Sequence, residues 1–212
     1  MNTDYTALGL IVDRSGSMES MAQEVKGSVK QFILEQKKDT GRKATLTTTQ
    51  FDDHYEVIHD FQDIQAIDEE KFVREYSPRG LTALLDAIGR TTLAMKQKID
   101  SMAEADKPKR VVVAVITDGL ENASKEFTIS QIKEMIKEQE SAGWDFLFMG
   151  ATLDTIKVAE NIGFSKDKSA IYNTGNFKTC MSSINEQVTK ARLNKKVKIT
   201  EEDRENLMSS GT

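Results

Sequence analysis

The sequence predicts an α/β protein: a doubly wound, mostly parallel six-stranded sheet with one antiparallel edge strand and helices on both faces. Three observations lead there. Short apolar runs rich in β-branched and aromatic residues, above all 8–12, 111–116 and 144–149, read as strands buried on both sides, as in the middle of a parallel sheet. Longer segments between them carry apolar residues at three- and four-residue steps, the signature of helices with one packed face. Only one pair of predicted strands, 44–51 and 55–61, is joined too tightly for a crossover, so those two form an antiparallel hairpin at one edge.

Taken in order, the first strand runs from Leu8 to Val12 and stops at Asp13. Met18, Met21, Val25, Val29 and Phe32 then line one face of a helix over 18–37, which Thr40 and Gly41 end. The threonine-rich strand 44–51, the turn Asp52-Asp53-His54 and the strand 55–61 follow. A short helix is expected over 67–76, broken by Ser77, Pro78, Arg79 and Gly80. Leu85, Ile88, Thr92, Met95, Ile99 and Met102 mark a long helix that starts at Thr82. The strand 111–116 ends in Thr117-Asp118-Gly119, repeating the form of the first strand. A helix over 130–142 with Gly143 at its end, the strand 144–149, a helix capped by Thr152 and ended by Gly163, and a short strand 169–172 complete the alternation. Phe177, Met181, Ile184, Val188 and Ala191 mark the last long helix. One domain over 1–194 is the expectation, with 195–212 a polar tail or short helix that offers little to bury.

Composition narrows the function. With 212 residues, 38% hydrophobic and 30% charged, the chain can bury a substantial core and reads as globular. A net charge of -5 argues against broad nucleic-acid binding, and the basic runs at 37–43 and 195–198 read as solvated charges. The single cysteine, Cys180, excludes an internal disulfide or a multi-thiolate metal site and falls in an apolar helical pattern. No apolar run is long enough to span a bilayer, and no basic segment followed by a long apolar stretch opens the chain. The expectation is a cytoplasmic protein without membrane attachment.

The chemistry concentrates at strand ends. Asp13, Ser15 and Ser17 follow the first strand, Thr82 opens a helix, and Asp118 follows the strand 111–116. Open α/β sheets bind ligands at the carboxyl ends of strands, at the point where the strand order reverses. If the hairpin lies on one side of the first strand and 111–116 on the other, Asp13 and Asp118 face one crevice. All five groups are hard oxygen ligands, and two carboxylates with hydroxyls and water suit a hard divalent cation. Each alone has a plainer reading: Thr117-Asp118-Gly119 as a turn, Thr82, Ser15 and Ser17 as helix caps. Their joint placement favours the site.

These residues resemble the von Willebrand factor type A domain family. Its Asp-x-Ser-x-Ser signature stands here as Asp13, Ser15 and Ser17, its distal threonine as Thr82 within Gly80-Leu81-Thr82-Ala83-Leu84, and its distal aspartate as Asp118. The resemblance covers about 5–194, and Thr82 to Asp86, Asp118 to Asn122 and Trp144 to Gly150 are similar to small stand-alone members from bacteria and phages. It implies a Rossmann-like fold with an intact metal-ion-dependent adhesion site. The implied ion is Mg2+ or Mn2+, with Ca2+ disfavoured by the few, compactly placed ligands. The implied activity is binding a partner protein that presents an Asp or Glu to the metal, with no enzymatic role. It also implies a last helix that shifts when a partner binds.

Two other classes compete. A metal-dependent phosphoester hydrolase on a similar sheet would need a general acid two residues after Asp13, where Ser15 stands. A serine nucleophile would need a histidine, and His54 and His59 both fall in the hairpin, too far apart on it to form a metal pair. A dinucleotide or P-loop site lacks its glycine spacing and lysine. The remaining alternative is a structural or virion assembly component whose contacts ignore the ion. The sequence names no partner and leaves the oligomeric state open.

Overall fold

A computed structural model describes residues 2–209; Met1 and the tail positions 210–212 lie outside the described residues. The strands are β1 (Asn2–Asp13), β2 (Lys43–Phe51), β3 (Tyr55–Asp63), β4 (Pro108–Thr117), β5 (Trp144–Gly150) and β6 (Ser169–Ile171). The helices are α1 (Ala22–Lys37), α2 (Glu69–Glu75), α3 (Leu84–Asp100), α4 (Ile129–Ser141), α5 (Leu153–Asn161), α6 (Phe177–Arg192) and α7 (Glu201–Met208). The sheet order is β3-β2-β1-β4-β5-β6. Every pairing is parallel except β2 with β3, so the sheet is six-stranded with one antiparallel edge.

Alternation along the central strands builds both layers. Leu8, Leu10 and Val12 of β1, with Val112, Ala114 and Ile116 of β4, pack on one face against α1 and α6. Ala7 and Ile11, with Val111, Val113 and Val115, pack on the other against α3 and α4. A central strand sandwiched in this way needs apolar residues at both parities, which is why it reads as an unbroken apolar run. The chain leaves β1 for β2 over one face and returns to β4 on the far side of β1. The crevice between β1 and β4 is therefore the switch point, and the loops after both strands open over it.

Two helix starts differ from the sequence reading. The segment Gly16–Met21 is a 3-10 turn and α1 begins only at Ala22, because Met18 and Met21 are buried at spacings that a tight turn also satisfies. The helix expected from Thr82 begins at Leu84, with Ala83 in the capping position and no side-chain cap. Thr152 caps α5 through a reciprocal capping box, as its spacing predicts. Cys180 is wholly buried, and its burial pushes the thiol well above its ordinary range.

The tail forms the short helix that the sequence allows, but the expectation that it offers little to bury requires a correction. Thr200 caps α7, and Val197, Ile199 and Leu207 are each at most 1% exposed within the core beside α6. Although Met208 is exposed, a tail that buries three of its apolar residues offers more than its composition suggests, because mean polarity does not register three well-placed anchors.

His59 on β3 carries a testable pH dependence. It is buried, its Nε2 lies 3.1 Å from the Asp68 carbonyl, and its Nδ1 has no hydrogen-bond partner. Protonation would bury an unmet N–H and a charge, so burial holds the imidazole below its ordinary value of 6.5. The unfolded chain therefore binds the proton first. Stability conferred by the neutral ring is present above about pH 6.5 and is lost as pH falls from there through the depressed folded value. Urea titrations of the parent and of His59→Gln at pH 7.5 and 5.5 are expected to show the parent losing its advantage at the lower pH. A pH-independent difference would refute this.

Candidate metal centre

The crevice is assembled from three connections. Asp13 closes β1 and is fully buried; its Oδ1 accepts the Ser15 N–H at 2.6 Å and its Oδ2 accepts the Thr117 hydroxyl at 2.5 Å. The Ser15 and Ser17 hydroxyls lie 3.1 Å apart, and Ser17 donates to Asp118 Oδ1 at 2.6 Å. A continuous polar path thus joins Asp13 to Asp118 through both serines.

Thr82 enters from the second connection. A Cβ built on Gly119 would stand 3.0 Å from Thr82 Oγ1 and 3.7 Å from both Asp13 Oδ2 and Ser15 Oγ. Oxygens from the β1–α1 loop and the start of α3 therefore converge on a single point above the β4–α4 loop. The structure brings together all five residues that the sequence singles out.

Thr82 can face the crevice because capping of α3 is done by another loop. Glu121 Oε2 accepts the Leu85 N–H at 3.0 Å and Ser124 Oγ accepts the Asp86 N–H at 3.1 Å, meeting donors that a helix start leaves unpaired. Asn122 binds both backbone groups of Thr82, at 2.8 and 3.0 Å. Asp86 in return accepts the N–H groups of Lys125, Glu126 and Phe127 at 2.8 to 2.9 Å. Sequence reasoning did not find these roles for Asp86, Glu121, Asn122 and Ser124. The signal was a cluster of carboxylate, amide and hydroxyl groups in a loop that a helix of its own does not need.

Arg14, between Asp13 and Ser15, turns from the crevice to Asp52 (3.0 Å) and Glu56 (2.6 Å). Tyr76 donates to the Asp13 carbonyl at 2.8 Å and fixes the end of β1 from below. His54 sits 3.5 Å from Asp52 and from Asp53, and His59 faces the Asp68 carbonyl, so neither histidine partners Ser15 or Ser17.

The electrostatics fit a cation. Burial pushes Asp13 up to about 6 despite hydrogen bonds from Thr117 and Ser15 that work the other way, and the Asp118 charge adds to the rise. Burial raises Asp118 as well. Two carboxylates set close together, each destabilised in its charged form, with hydroxyls around one small cradle, form a hard oxygen donor set in deficit of positive charge.

The sequence model of the von Willebrand factor type A domain matches residues 8–187. Among solved structures, the chain is similar to the vWF domain of the type V pili tip protein Mfa5 from Porphyromonas gingivalis, with a TM-score of 0.67, 10% identity, and 90% of this chain and 97% of that one covered. It is also similar to proximal thread matrix protein 1 from the mussel byssus (TM-score 0.62, 17% identity, 90% of this chain and 46% of that one). A further structure of that byssus protein, with a zinc-occupied MIDAS motif, matches with a TM-score of 0.57 and 14% identity over 88% of this chain and 46% of that one. This chain spans about half the length of the byssus protein. No curated protein sequence matches it. At such identities the likeness shows the fold. Among the described residues, no helix is long and apolar enough to cross a membrane.

Proposed function

The chain belongs to the von Willebrand factor type A domain family, whose members commonly mediate protein interactions, and from that membership we propose a divalent-cation-dependent protein-binding role. Asp13, Ser15, Ser17, Thr82 and Asp118 hold Mg2+ or Mn2+, directly or through water, and the ion receives an Asp or Glu side chain of a partner protein. The observation that carries this reading is the cradle at Gly119, where a Cβ would crowd Thr82 Oγ1 at 3.0 Å and touch Asp13 Oδ2 and Ser15 Oγ at 3.7 Å, so that oxygens from two other loops face one point. The bound ion supplies a positive charge that two carboxylates only just neutralise, so an incoming carboxylate gains from it most where water is excluded.

The surroundings support a protein partner. Leu81 and Leu120, close in the chain to Thr82 and Asp118, are 56% and 47% exposed, and Leu153 beyond the end of β5 is 69% exposed. Exposed leucines around a polar centre suit an interface in which apolar contacts exclude water from one charged contact. The chain is not an enzyme in this reading, since neither histidine lies beside Ser15 or Ser17 and Ser15 stands two residues after Asp13, where an aspartyl-phosphate mechanism needs a carboxylic acid.

Calorimetric titration is the test. Mg2+ and Mn2+ are expected to bind at one ion per chain and to raise the melting temperature through linkage, with Ca2+ weaker. Asp13→Ala is expected to remove binding, and simple phosphoesters to be left unhydrolysed in Mg2+. Absence of ion binding by the parent, or turnover lost with Asp13→Ala, would overturn the proposal.

A further inference from the structure

We infer that Asp52, which contributes nothing to the crevice itself, is a positioning residue that sets the affinity of the ion site by clamping two of its three loops. This rests on the metal-binding reading above. Asp52 lies in the β2–β3 turn and is fully buried. Its Oδ2 accepts Nε of Arg14 at 3.0 Å and Nε of Arg79 at 2.9 Å, while its Oδ1 accepts the His54 N–H at 2.5 Å. Its carbonyl accepts the Ala83 N–H at 2.9 Å. Arg14 stands between Asp13 and Ser15, and Ala83 follows Thr82. One residue therefore holds both sides of the gap that the ion must bridge, the first loop through the Arg14 side chain and the second through the Ala83 backbone.

Neighbouring groups reinforce the clamp. Glu56 takes the second arm of each guanidinium, Arg14 Nη1 at 2.6 Å and Arg79 Nη2 at 2.9 Å. Backbone bonds run the same way: Arg79 N–H to the Arg14 carbonyl at 2.7 Å, and Gly16 N–H to the Gly80 carbonyl at 3.2 Å. Gly80 has φ +69°, and a Cβ there would meet Asp53 Oδ1, so the loop is pressed directly onto the turn. Planar guanidinium forks shared by two carboxylates restrict orientation as well as distance, as a locating device requires.

The same residues invite a competing reading. Asp52, Asp53 and His54 each offer one ligand atom within 4.8 Å of the others, as a second cation site would. The bonds on Asp52 speak against it. Both its oxygens are occupied, one by two cationic side chains, and the Asp53 carboxylate takes backbone N–H groups including that of Leu81. A cation arriving there would have to share Asp52 Oδ1 with the His54 N–H, on a carboxylate whose other oxygen already faces two arginines.

Arg79 separates positioning from simple charge. Its side chain is 54% exposed, so substitution is expected to leave the fold intact, and Arg79→Gln removes a positive charge near a cation site. Charge alone would tighten Mn2+ binding; loss of the clamp weakens it. Mn2+ titrations on the full chain, followed by calorimetry and by the paramagnetic resonance of the ion, with melting temperatures in chelator as the control for folding, distinguish the two. The parent is expected to bind one Mn2+, Asp52→Asn and Arg79→Gln to bind roughly tenfold or more weakly, as outer residues of metal sites commonly cause, and Arg79→Lys, which keeps the charge but not the two-armed fork, to recover only a small part of the loss. Tighter or unchanged binding by Arg79→Gln, or a second Mn2+ in the parent that Asp52→Asn abolishes, overturns the inference while leaving the ion site standing. A parent that binds no Mn2+ overturns the proposed function, and the inference with it.

Discussion

Gly119→Ala is expected to abolish divalent-cation binding while leaving the metal-free protein as stable as the parent. The added methyl would sit 3.0 Å from Thr82 Oγ1 and 3.7 Å from Asp13 Oδ2 and Ser15 Oγ, in the space where those oxygens converge. A carbon in that place offers no lone pair and keeps the oxygens from closing on an ion, so the loss should reach at least the roughly hundredfold upper end for disturbed metal sites. The backbone tolerates the change, because Gly119 is not among the residues with positive φ, Gly80, Gly143 and Gly163. Reduced freedom of the unfolded chain should offset the slight crowding of Thr82 by about 0.4 to 1 kcal/mol. Calorimetric titration with Mn2+ and urea unfolding in chelator read the two halves separately. Retained ion binding in Gly119→Ala would mean that the cradle is not where the ion sits.

Leu207→Ala is expected to cost about 2 to 5 kcal/mol, the range for deleting a fully buried leucine whose surroundings relax only in part. Leu207 is 0% exposed and closes over the core with Val197 and Ile199, each at 1%. Further bonds hold the segment down: the Asn173 N–H reaches the Leu207 carbonyl at 2.9 Å, and Arg204 reaches the Ser169 carbonyl at 2.6 Å. Cutting the chain after Asn194 would expose the apolar surface under all three side chains, each worth roughly 1.5 to 3 kcal/mol. Against a typical total stability of about 5 to 15 kcal/mol, the shortened chain is expected to be unfolded or to bind hydrophobic dye. Urea unfolding followed by circular dichroism measures the point variant. A change under about 0.5 kcal/mol, typical of surface sites, would show that the tail rests on the core without supporting it.

Much of this protein is legible without coordinates. The runs around Leu10, Val113 and Phe146 identify central strands because a strand buried on both faces has no polar parity, and the tight turn at Asp52-Asp53-His54 permits only an antiparallel return. Asp13, Ser15, Ser17 and Asp118 are readable because each follows a strand, and Thr82 because it stands just before a helix whose periodicity is plain, two residues ahead of its observed start. The capping of α5 by Thr152 is likewise local, decided within four residues.

What the sequence by itself determined, then, is the set of choices made over short distances along the chain: which segments are strands and helices, which edge turns back, and which oxygens stand at strand ends. Tertiary structure alone decided the pairing of polar groups remote in sequence. Asp52 is committed to Arg14 and Arg79 rather than left as a turn acid, Glu121 caps a helix to which it does not belong and so frees the Thr82 hydroxyl, and Leu207 joins Val197 and Ile199 in anchoring a mostly polar tail. The reason is physical. Periodicity encodes which face of an element is buried, but a charge or an amide satisfies itself with whatever partner folding delivers, and nothing in its own neighbourhood names that partner.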